Sequence, residues 1–392
     1  MDSGSEQGRK NWTRPASASR RAFLGWGAGA LAGWLTGCRP APTFPPPTAT
    51  PVPPPTDAPP TEIATTPALP PTYTPVPVTP VPSPSPTAGQ PVDLDRAALT
   101  ARLRWPTADV SRVVVVRHGG VWTAAGPDPE VVRQMLDAGI SALTDISDPL
   151  SVWRALFDPG ERALLKVNCI AYNGPTQPVV AYAVTERLQD AGLPAEDVLI
   201  FDRTDGELMS AGYVLNEDGP GVRCHGARGE GAEAALTQAT VRFYHELDEC
   251  DGIINLPTPK QHSGAGVSVS LKNHYGSINR PGSLHGNWCD PAIAELNAQP
   301  TVRDKTRLIV AAALHVSPCD WNQPERENAL LLSFDPVALD TVARDILVRH
   351  RQAMGLDAAY LIEGSRHLST AQDMALGATD PGLIDLRELT LT

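Results

Sequence analysis

The chain lacks the short motifs that mark the commonest enzyme classes. It has no Gly-x-Ser-x-Gly turn and no His-Glu-x-x-His helix, so nothing supports a serine hydrolase or a zinc protease. It also has neither a Walker loop nor the Gly-x-Gly-x-x-Gly dinucleotide fingerprint, and Gly264-Ala265-Gly266 alone does not define a phosphate cradle. Any active site must therefore be assembled by the fold from distant parts of the chain.

Surplus positive charge and paired cysteines are also missing. The 392 residues carry a net charge of −12, whereas binding to nucleic-acid phosphates requires basic surface, so we expect no nucleic-acid partner. Beyond Cys38 the five cysteines form no Cys-x-x-Cys pair. Outside the cytoplasm they allow at most two disulfides, and we expect most to be buried thiols. Cys169, which ends a predicted strand, is kept as a candidate metal ligand.

The first 37 residues have the pattern of an export signal. Arg20-Arg21, which resembles a twin-arginine signal, precedes the uncharged run Ala22–Leu35. That run has 14 residues, fewer than the ~20 that a membrane-spanning helix needs. Leu35-Thr36-Gly37-Cys38 resembles a bacterial lipobox, so we expect residues 1–37 to be removed and Cys38 to be lipidated. The alternative is an ordinary secretory signal with a chance cysteine.

A tether follows over residues 38–92. The stretch from Pro40 to Pro91 holds 21 of the 40 prolines and 11 threonines, with Asp57 and Glu62 as its charged residues. Such a segment cannot bury a core and favours extended polyproline conformation, at about 3.1 Å per residue. We therefore expect a disordered spacer, which holds a globular domain away from the extracytoplasmic face of the cell membrane.

Residues 93–392 alternate between strand and helix patterns. Helices are predicted from Asp128-Pro129-Glu130 to Gly139, from Thr176 (as cap) to Asp190, and over Pro336–His350 with Asp335 as cap. Strand–helix–strand order implies parallel neighbours, so we expect an α/β fold: an open, mostly parallel sheet flanked by helices, as one large domain or two closely packed subdomains. The predicted strands are Arg112–Arg117, Ala163–Cys169, Val198–Phe201, Val241–Tyr244, Gly252–Leu256, Arg307–Leu314 and Leu330–Ser333.

Polar residues follow several of these strands. In open α/β sheets ligands bind beyond the carboxyl ends of the strands, so parallel strands would gather these residues at one edge. Strands also end wherever a polar loop begins, and this plain interpretation stays open. The residues are Arg117-His118, Asn168-Cys169, Asp202-Arg203, Asn255, His315 and Ser333-Phe334-Asp335.

The segment Pro259–His285 combines cations, imidazoles and glycines, and it has no acidic residue. Two lysines beside flexible backbone suit a carboxylate or phosphate ligand, and histidines suit proton transfer or metal binding. The histidines match no compact metal motif, so ordinary solvated side chains are the alternative. The ionisable residues are Lys260, His262, Lys272, His274 and His285.

Four segments in the same order resemble the domain-of-unknown-function 362 (DUF362) family. Lys166-Val167-Asn168-Cys169 resembles its Lys-Pro-Asn strand end, and 255–262 resembles its Val-Pro-Lys-Leu-Lys-x-His segment. Residues 270–276 (SLKNHYG) resemble Leu-Lys-Asn-x-x-Gly, and 333–340 (SFDPVALD) matches Ser-x-Asp-Pro-Val-Ala-x-Asp. The resemblance runs from Val113 to Ala375 and implies a common site but no substrate.

Some members of that family are joined to ferredoxin-like iron–sulfur modules. This chain departs from them, because it has no closely spaced cysteine cluster. It also departs where the family often has an Asp-Gly turn, since here the strand continues into His315-Val316-Ser317. A metal ion or an iron–sulfur association remains open, and the cofactor stays unknown.

We expect a site in which Lys166 and Asn168 join the 259–285 segment. The predicted catalytic residues are Lys166, Lys260, His262, Lys272 and His274. The predicted ligand-binding residues are Asn168, Asn273 and His285. Metal candidates are His262, His274, His285 and Cys169.

Three functions remain open at this point. The first is an exported enzyme or redox-associated protein that binds an anionic ligand, metal or cofactor. The second is a non-catalytic lipoprotein that captures such a ligand, and the third is a scaffold subunit of an envelope complex. The expected partners are the membrane, through the lipid, a small anion or metal, and a separate redox or envelope protein.

Overall fold

A computed structural model of the chain describes residues 94–170, 174–319 and 324–392. The expected signal peptide, Cys38 and the tether lie outside the described residues. Within these ranges no helix combines the length and apolar character needed to cross a membrane. The described residues belong to one compact unit.

An eight-stranded sheet forms the centre of this unit. The described residues contain fourteen strands: β1 (Ser111–His118), β2 (Trp122–Thr123), β3 (Gly126–Pro127), β4 (Ala163–Val167), β5 (Val198–Phe201), β6 (Arg223–His225), β7 (Glu230–Ala235), β8 (Thr240–Tyr244), β9 (Gly252–Leu256), β10 (Lys260–His262), β11 (Gly266–Ser268), β12 (Thr306–Val316), β13 (Glu325–Ser333) and β14 (Ile384–Leu391). The sheet order is β14-β1-β13-β12-β9-β4-β5-β6.

One strand of this sheet runs against the others. β13 is antiparallel to both neighbours, β1 and β12, and every other pair in the sheet is parallel. The strands outside the sheet pair as the hairpins β2-β3, β7-β8 and β10-β11. The predicted α/β fold with a mostly parallel sheet is therefore confirmed.

Helices cover both faces of the sheet. Three of the longer ones start at Asp-Pro pairs, at Asp128, Asp148 and Asp335, where the aspartate accepts backbone N–H groups and proline occupies the first turn. The helices of the described residues are α1 (Arg96–Leu103), α2 (Pro129–Thr144), α3 (Pro149–Leu156), α4 (Pro178–Asp190), α5 (Asp205–Ser210), α6 (His245–Glu249), α7 (Ser270–Asn273), α8 (Ala292–Ala298), α9 (Pro300–Arg303), α10 (Pro336–Ala353), α11 (Ala359–Gly364) and α12 (Arg366–Asp373), with short 3₁₀ turns between them.

Strand β4 shows how the two faces are filled. Its residues alternate sides, so Leu165 packs into the core that α2, α3 and α4 cover, while Leu164 packs with Phe201 and Ile253 on the other face. Lys166 lies on the same face as Leu164. A charged side chain therefore occupies a core-facing position at the end of a buried strand.

Gly139 does not end its helix, and that prediction was wrong. Helix α2 continues to Thr144, with Gly139 buried in its interior. A Cβ atom at this position would lie 2.6 Å from Leu332 Cδ1, closer than carbon atoms pack. The glycine lets the helix lie close to the sheet, which a pattern of helix-ending residues does not reveal.

Two further boundaries differ from the prediction. The strand expected to end at Cys169 ends at Val167, and α4 begins at Pro178 after Gln177 rather than at a Thr176 cap. The Thr176 hydroxyl instead donates to the Leu256 carbonyl (2.6 Å) and accepts from the Asn168 N–H (3.0 Å). Thr176 thus ties together the ends of two strands.

The antiparallel direction of β13 moves one polar segment to the far edge. The carboxyl ends of β4, β5 and β9 share one edge, whereas Ser333 pairs with Val113 near the start of β1. The expected meeting of Ser333–Asp335 with the other polar strand ends is therefore wrong. The predicted strand Val241–Tyr244 exists, but in the β7-β8 hairpin.

Candidate functional site

The carboxyl ends of β4 and β5 border a cavity of about 190 Å³. Its walls combine the strand ends with the 259–285 segment, and they include every predicted catalytic or ligand-binding residue except His274. The cavity is smaller than the roughly 300–1,000 Å³ typical of sites for drug-sized ligands, which favours a small ligand. The polar lining residues are Lys166, Asn168, Asp202, Arg203, Glu207, Lys260, Gln261, His262, Ser268, Lys272, Asn273, Tyr275 and His285.

Lysine is concentrated at this cavity. The chain contains five lysines, and three of them, Lys166, Lys260 and Lys272, line its walls. All three side chains are buried, although lysine is among the residues least often buried without a partner. The partners of each amine therefore decide what the cavity can do.

Lys166 forms a buried ion pair with Asp202 at the ends of two neighbouring strands. Its Nζ lies 2.8 Å from Asp202 Oδ1 and also donates to the Val167 carbonyl at 2.7 Å. The second carboxylate oxygen accepts the Cys169 N–H at 2.6 Å. Gly276 lies against this pair, and a Cβ there would fall 2.7 Å from both charged atoms. The pair is therefore buried at the inner end of the cavity, with Gly276 packed against it.

Two asparagines extend this network toward the second lysine. Asn273 Nδ2 donates to the Lys166 carbonyl (3.0 Å) and to Asn255 Oδ1 (2.7 Å), and its Oδ1 accepts from Asn168 Nδ2 (3.2 Å). These bonds fix the amide orientation of Asn168. Its Oδ1 consequently faces Lys260 Nζ, which donates to it at 2.6 Å.

Lys260 has a neutral amide as its hydrogen-bond partner. It opens β10, beside Ser317 of the neighbouring chain segment, and is buried. Burial lowers the pKa of Lys260 to about 7, because the ammonium form loses its hydration. Asp202 opposes this shift, and the cations Lys166 and Lys272 add to it.

Lys272 projects from α7 and stacks on an aromatic ring. Its Nζ lies 4.3 Å from the centre of the Tyr275 ring, and within the described ranges it makes no hydrogen bond. Burial lowers the pKa of Lys272 to about 8. A cation–π contact stabilises the charged form only in part, so this amine can still accept a ligand.

Imidazole rings form the outer wall. The His285 ring lies 5.3 Å from the Tyr275 ring and 5.5 Å from the His262 ring, as centroid distances. Burial, reinforced by Lys272, lowers the pKa of His262 to about 3, and burial also lowers that of His285. Both rings are therefore neutral at physiological pH and add no charge.

The cavity carries surplus positive charge. Its two lining carboxylates are already paired, Asp202 with Lys166 and Glu207 with Arg203. In the part of the chain that the structure describes, neither Lys260 nor Lys272 forms an ion pair. Two buried amines therefore face the space without a carboxylate partner of their own.

Residues 163–345 match the family model described as "Domain of unknown function (DUF362)". This match covers 183 of the 392 residues, and we call the matched part the DUF362 domain. The matched range contains all of the cavity's polar lining residues, and it excludes β1 and β14, which complete the sheet on one side.

A curated relative comes from a cyanobacterium. The chain is 29% identical to "Thylakoid-associated protein sll1697" of Synechocystis sp. (strain ATCC 27184 / PCC 6803 / Kazusa) over 235 residues, which cover 55% of this chain and 72% of the relative. The 235 aligned residues outnumber the 183 residues that match the family model, so the similarity extends beyond that range.

Two solved structures share distant similarity. One is a structural-genomics protein from Thermotoga maritima, with 11% identity and a TM-score of 0.35 over 63% of this chain. The other is the lactate racemase apoprotein from Thermoanaerobacterium thermosaccharolyticum, with 12% identity and a TM-score of 0.30 over 57% of this chain. The chain spans 59% and 54% of these two proteins.

His274 lies behind the cavity of the DUF362 domain rather than in its wall. Its ring nitrogens lie 3.3 Å from Asn255 Nδ2 and 3.2 Å from Ser277 Oγ. Burial lowers the pKa of His274 to about 3. The ring is a neutral part of the packing under α7, so its contacts with the ligand space are indirect.

The candidate metal ligands do not converge. Among the described residues no group of three or more His, Cys, Asp or Glu side chains is placed to hold a metal ion. The five cysteines within these ranges are buried. Burial raises the pKa of the Cys169 thiol and so favours its neutral form.

Two partners of the cavity lysines, Asp202 and Tyr275, were not predicted as part of the site. Asp202 was noted only as a polar strand end, and Tyr275 was quoted only within a family segment. Asp202 follows β5, the strand beside β4, so parallel pairing alone brings it to Lys166. The scarcity of lysine would have been a signal too, since three of five fall in family segments.

Proposed function

We propose that the DUF362 domain binds a small anion with two negative charges in the lysine cavity. The observation that carries this proposal is the surplus of buried amines: Lys260 and Lys272 face one space, and the lining carboxylates are paired elsewhere. A buried charge is costly unless a partner of opposite charge offsets its lost hydration, and one dianion could pair with both amines at once. The ligand class is therefore a small dicarboxylate or a phosphate-like group.

The proposal favours an organic or inorganic anion over a protein-held metal. The described residues offer no three-ligand metal group, whereas the Lys260 and Lys272 amines line the cavity and could hold the oxygen atoms of an anion. No observation favours the scaffold role. In a purely structural cluster we would expect the cavity lysines to be paired with carboxylates of the protein.

Calorimetric titration of the full chain tests the proposal. Inorganic phosphate, sulfate and 2-hydroxyglutarate are titrated at pH 6.5, where Lys260 and Lys272 are largely protonated. At least one should bind with 1:1 stoichiometry. Lys272→Met should weaken it by about 10–100-fold, as for a lost charge-assisted contact of about 1.5–3 kcal/mol.

A charge-matched control separates the site from general electrostatics. Arg154 is exposed on α3, and Arg154→Gln removes one positive charge outside the cavity wall. This variant should bind as wild type does. If all three anions fail to bind, or if Arg154→Gln weakens binding as much as Lys272→Met, the proposal is wrong.

We also propose that the domain works tethered to a membrane through a lipid on Cys38. The Arg20-Arg21 pair and the Leu35-Thr36-Gly37-Cys38 segment support this, and the cyanobacterial relative is named for its association with thylakoids. Cys38→Ser should move the protein from the membrane to the soluble fraction. A processed Ser variant that stays with membranes would contradict the anchor.

A further inference from the structure

The three cavity amines differ in their partners, and the difference assigns them different roles. Lys166 faces a carboxylate, Asp202, and Lys272 faces the Tyr275 ring, so each of these two amines has a partner that attracts positive charge. Lys260 donates to the Asn168 amide oxygen, which can accept from a neutral amine equally well. Of the three, Lys260 is the amine whose lone pair is most readily available.

We propose that Lys260 is a nucleophile that forms an imine with the carbonyl carbon of a small 2-oxo acid. This inference rests on the proposed function, because the carboxylate of the same molecule would be held by Lys272. It narrows the ligand class from small dianions in general to oxo acids. It also adds a covalent bond between Lys260 and the ligand to the non-covalent binding.

The surroundings of Lys260 support this role. Its side chain is 3% exposed and lines the cavity, so the amine meets the ligand space without bulk water around it. The asparagine network holds the Asn168 oxygen toward Nζ, so one N–H is fixed and the lone pair is directed elsewhere. The lysine is pre-positioned on a strand, which limits the entropy lost on attack.

The chemistry balances without any further reactant. The neutral amine attacks the carbonyl carbon, so a C–N bond forms as the C=O π bond breaks. The amine proton passes to the oxygen and gives a carbinolamine. Loss of the hydroxyl and the remaining N–H proton as water forms the C=N bond, so amine and carbonyl become imine and water with no oxidant or reductant.

Borohydride trapping on the full chain tests the imine. The protein is incubated with 2-oxoglutarate or oxaloacetate, reduced with borohydride and mapped by peptide mass spectrometry. With five lysines in the chain, each amine can be scored separately. We expect a stable adduct on Lys260 at least about tenfold above Lys305, because Lys260 lines the cavity that would hold the oxo acid, whereas the Lys305 amine lies outside it and donates to three backbone carbonyls.

Matched controls make the result specific. Lys305 donates to three backbone carbonyls and serves as the internal reference. Incubation with 2-hydroxyglutarate, which has the charge of 2-oxoglutarate but no carbonyl, should leave no adduct. Lys260→Arg should abolish the adduct and leave Lys272 unlabelled.

Two negative results have different meanings. A protein that binds phosphate, sulfate or 2-hydroxyglutarate by calorimetry but shows no adduct on Lys260 with either oxo acid would overturn the imine and leave the anion site standing. A protein that binds no anion at all would overturn both. An adduct on Lys272 in place of Lys260 would also overturn the assignment.

Discussion

Two buried polar clusters lie at opposite edges of the same sheet, and they differ in how completely their charges are satisfied. At the amino edge Asp335 accepts the Ser111 hydroxyl and the N–H groups of Val337, Ala338 and Ala378. At the carboxyl edge Lys260 has one amide oxygen as its partner. Both clusters lose hydration, but only the first regains its hydrogen bonds within the protein.

The contrast separates a structural cluster from a binding cluster. Burial raises the pKa of Asp335, while nearby Arg104 and the hydrogen bonds to the carboxylate oppose the rise. Burial lowers the pKa of Lys260 and Lys272, and neither amine has a carboxylate within ion-pair distance among the described residues. A buried charge whose hydrogen-bond partners all come from the protein stabilises the fold. A buried charge that lacks such partners indicates where a ligand could supply them.

The largest effect should come from Asp335→Ala. This change leaves four hydrogen-bond donors without their acceptor, so we expect a loss of about 3–5 kcal/mol in the free energy of unfolding. That exceeds the ~1 kcal/mol expected for an ordinary helix cap, because the cap is fully buried. Urea denaturation measures the loss, and anion affinity of the folded protein should stay unchanged.

A matched variant isolates the contribution of burial. Asp128 caps α2 in the same Asp-Pro context and accepts from Glu130 and Val131. Asp128→Ala should cost about 1 kcal/mol. Equal losses for the two variants would mean that the amino-edge cluster adds nothing beyond a cap, and the comparison between the two edges would fail.

Lys272→Met should shift stability in the opposite direction. The folded pKa of about 8 lies below the ordinary 10.5, so the folded state disfavours the proton fully below pH 8 and not at all above 10.5. Removing the amine should therefore stabilise the ligand-free protein by about 1–3 kcal/mol at pH 7. Urea denaturation measures this gain, which should shrink as pH rises from 8 to 10.5.

The same variant loses affinity for the anion, so stability and binding change in opposite senses. A ligand-free Lys272→Met protein that is less stable than wild type would show that the lysine belongs to a satisfied structural cluster. Arg154→Gln makes an equal change in net charge at an exposed position of α3, and it should change stability by less than about 0.5 kcal/mol.

Gly276→Ala should have a smaller effect that is confined to the carboxyl edge. Its Cβ would lie 2.7 Å from Lys166 Nζ and from Asp202 Oδ1, so the ion pair must shift. We expect a loss of about 1–2 kcal/mol in stability and weaker anion binding. Gly282→Ala is the control, because no atom lies within 4 Å of its Cβ position. Identical behaviour of the two variants would show that the pair is not held tightly.

Much of the fold could be predicted from local pattern. The valine run of β1, the strand β9 and the Asp-Pro start of α10 were visible because buried strands and capped helices have short-range signatures. The direction of β13 was not visible, since strand direction depends on the path of the chain between strands. That single reversal separates Asp335 from the lysines.

The candidate site shows the same division. Lys260 and Lys272 were suspected from the composition of one segment, and Lys166 from its place at a strand end. The different position of His274 was hidden, because α7 turns its ring toward Asn255 and Ser277. The pairing of Asp202 with Lys166 depends on β4 and β5 lying side by side, a contact between residues 36 positions apart.

Proton uptake on anion binding tests directly whether a dianion binds beside the Lys260 and Lys272 amines. At pH 8 Lys260 is mostly neutral and Lys272 about half protonated, so a bound dianion that raises both pKa values should take up about one proton per chain. Titration of 2-hydroxyglutarate, whose charge is constant near pH 8, in two buffers of different ionisation enthalpy measures the number. We expect uptake of about one proton in the wild-type protein and of less in the Lys272→Met variant. Binding without proton uptake, or with proton release, would contradict it.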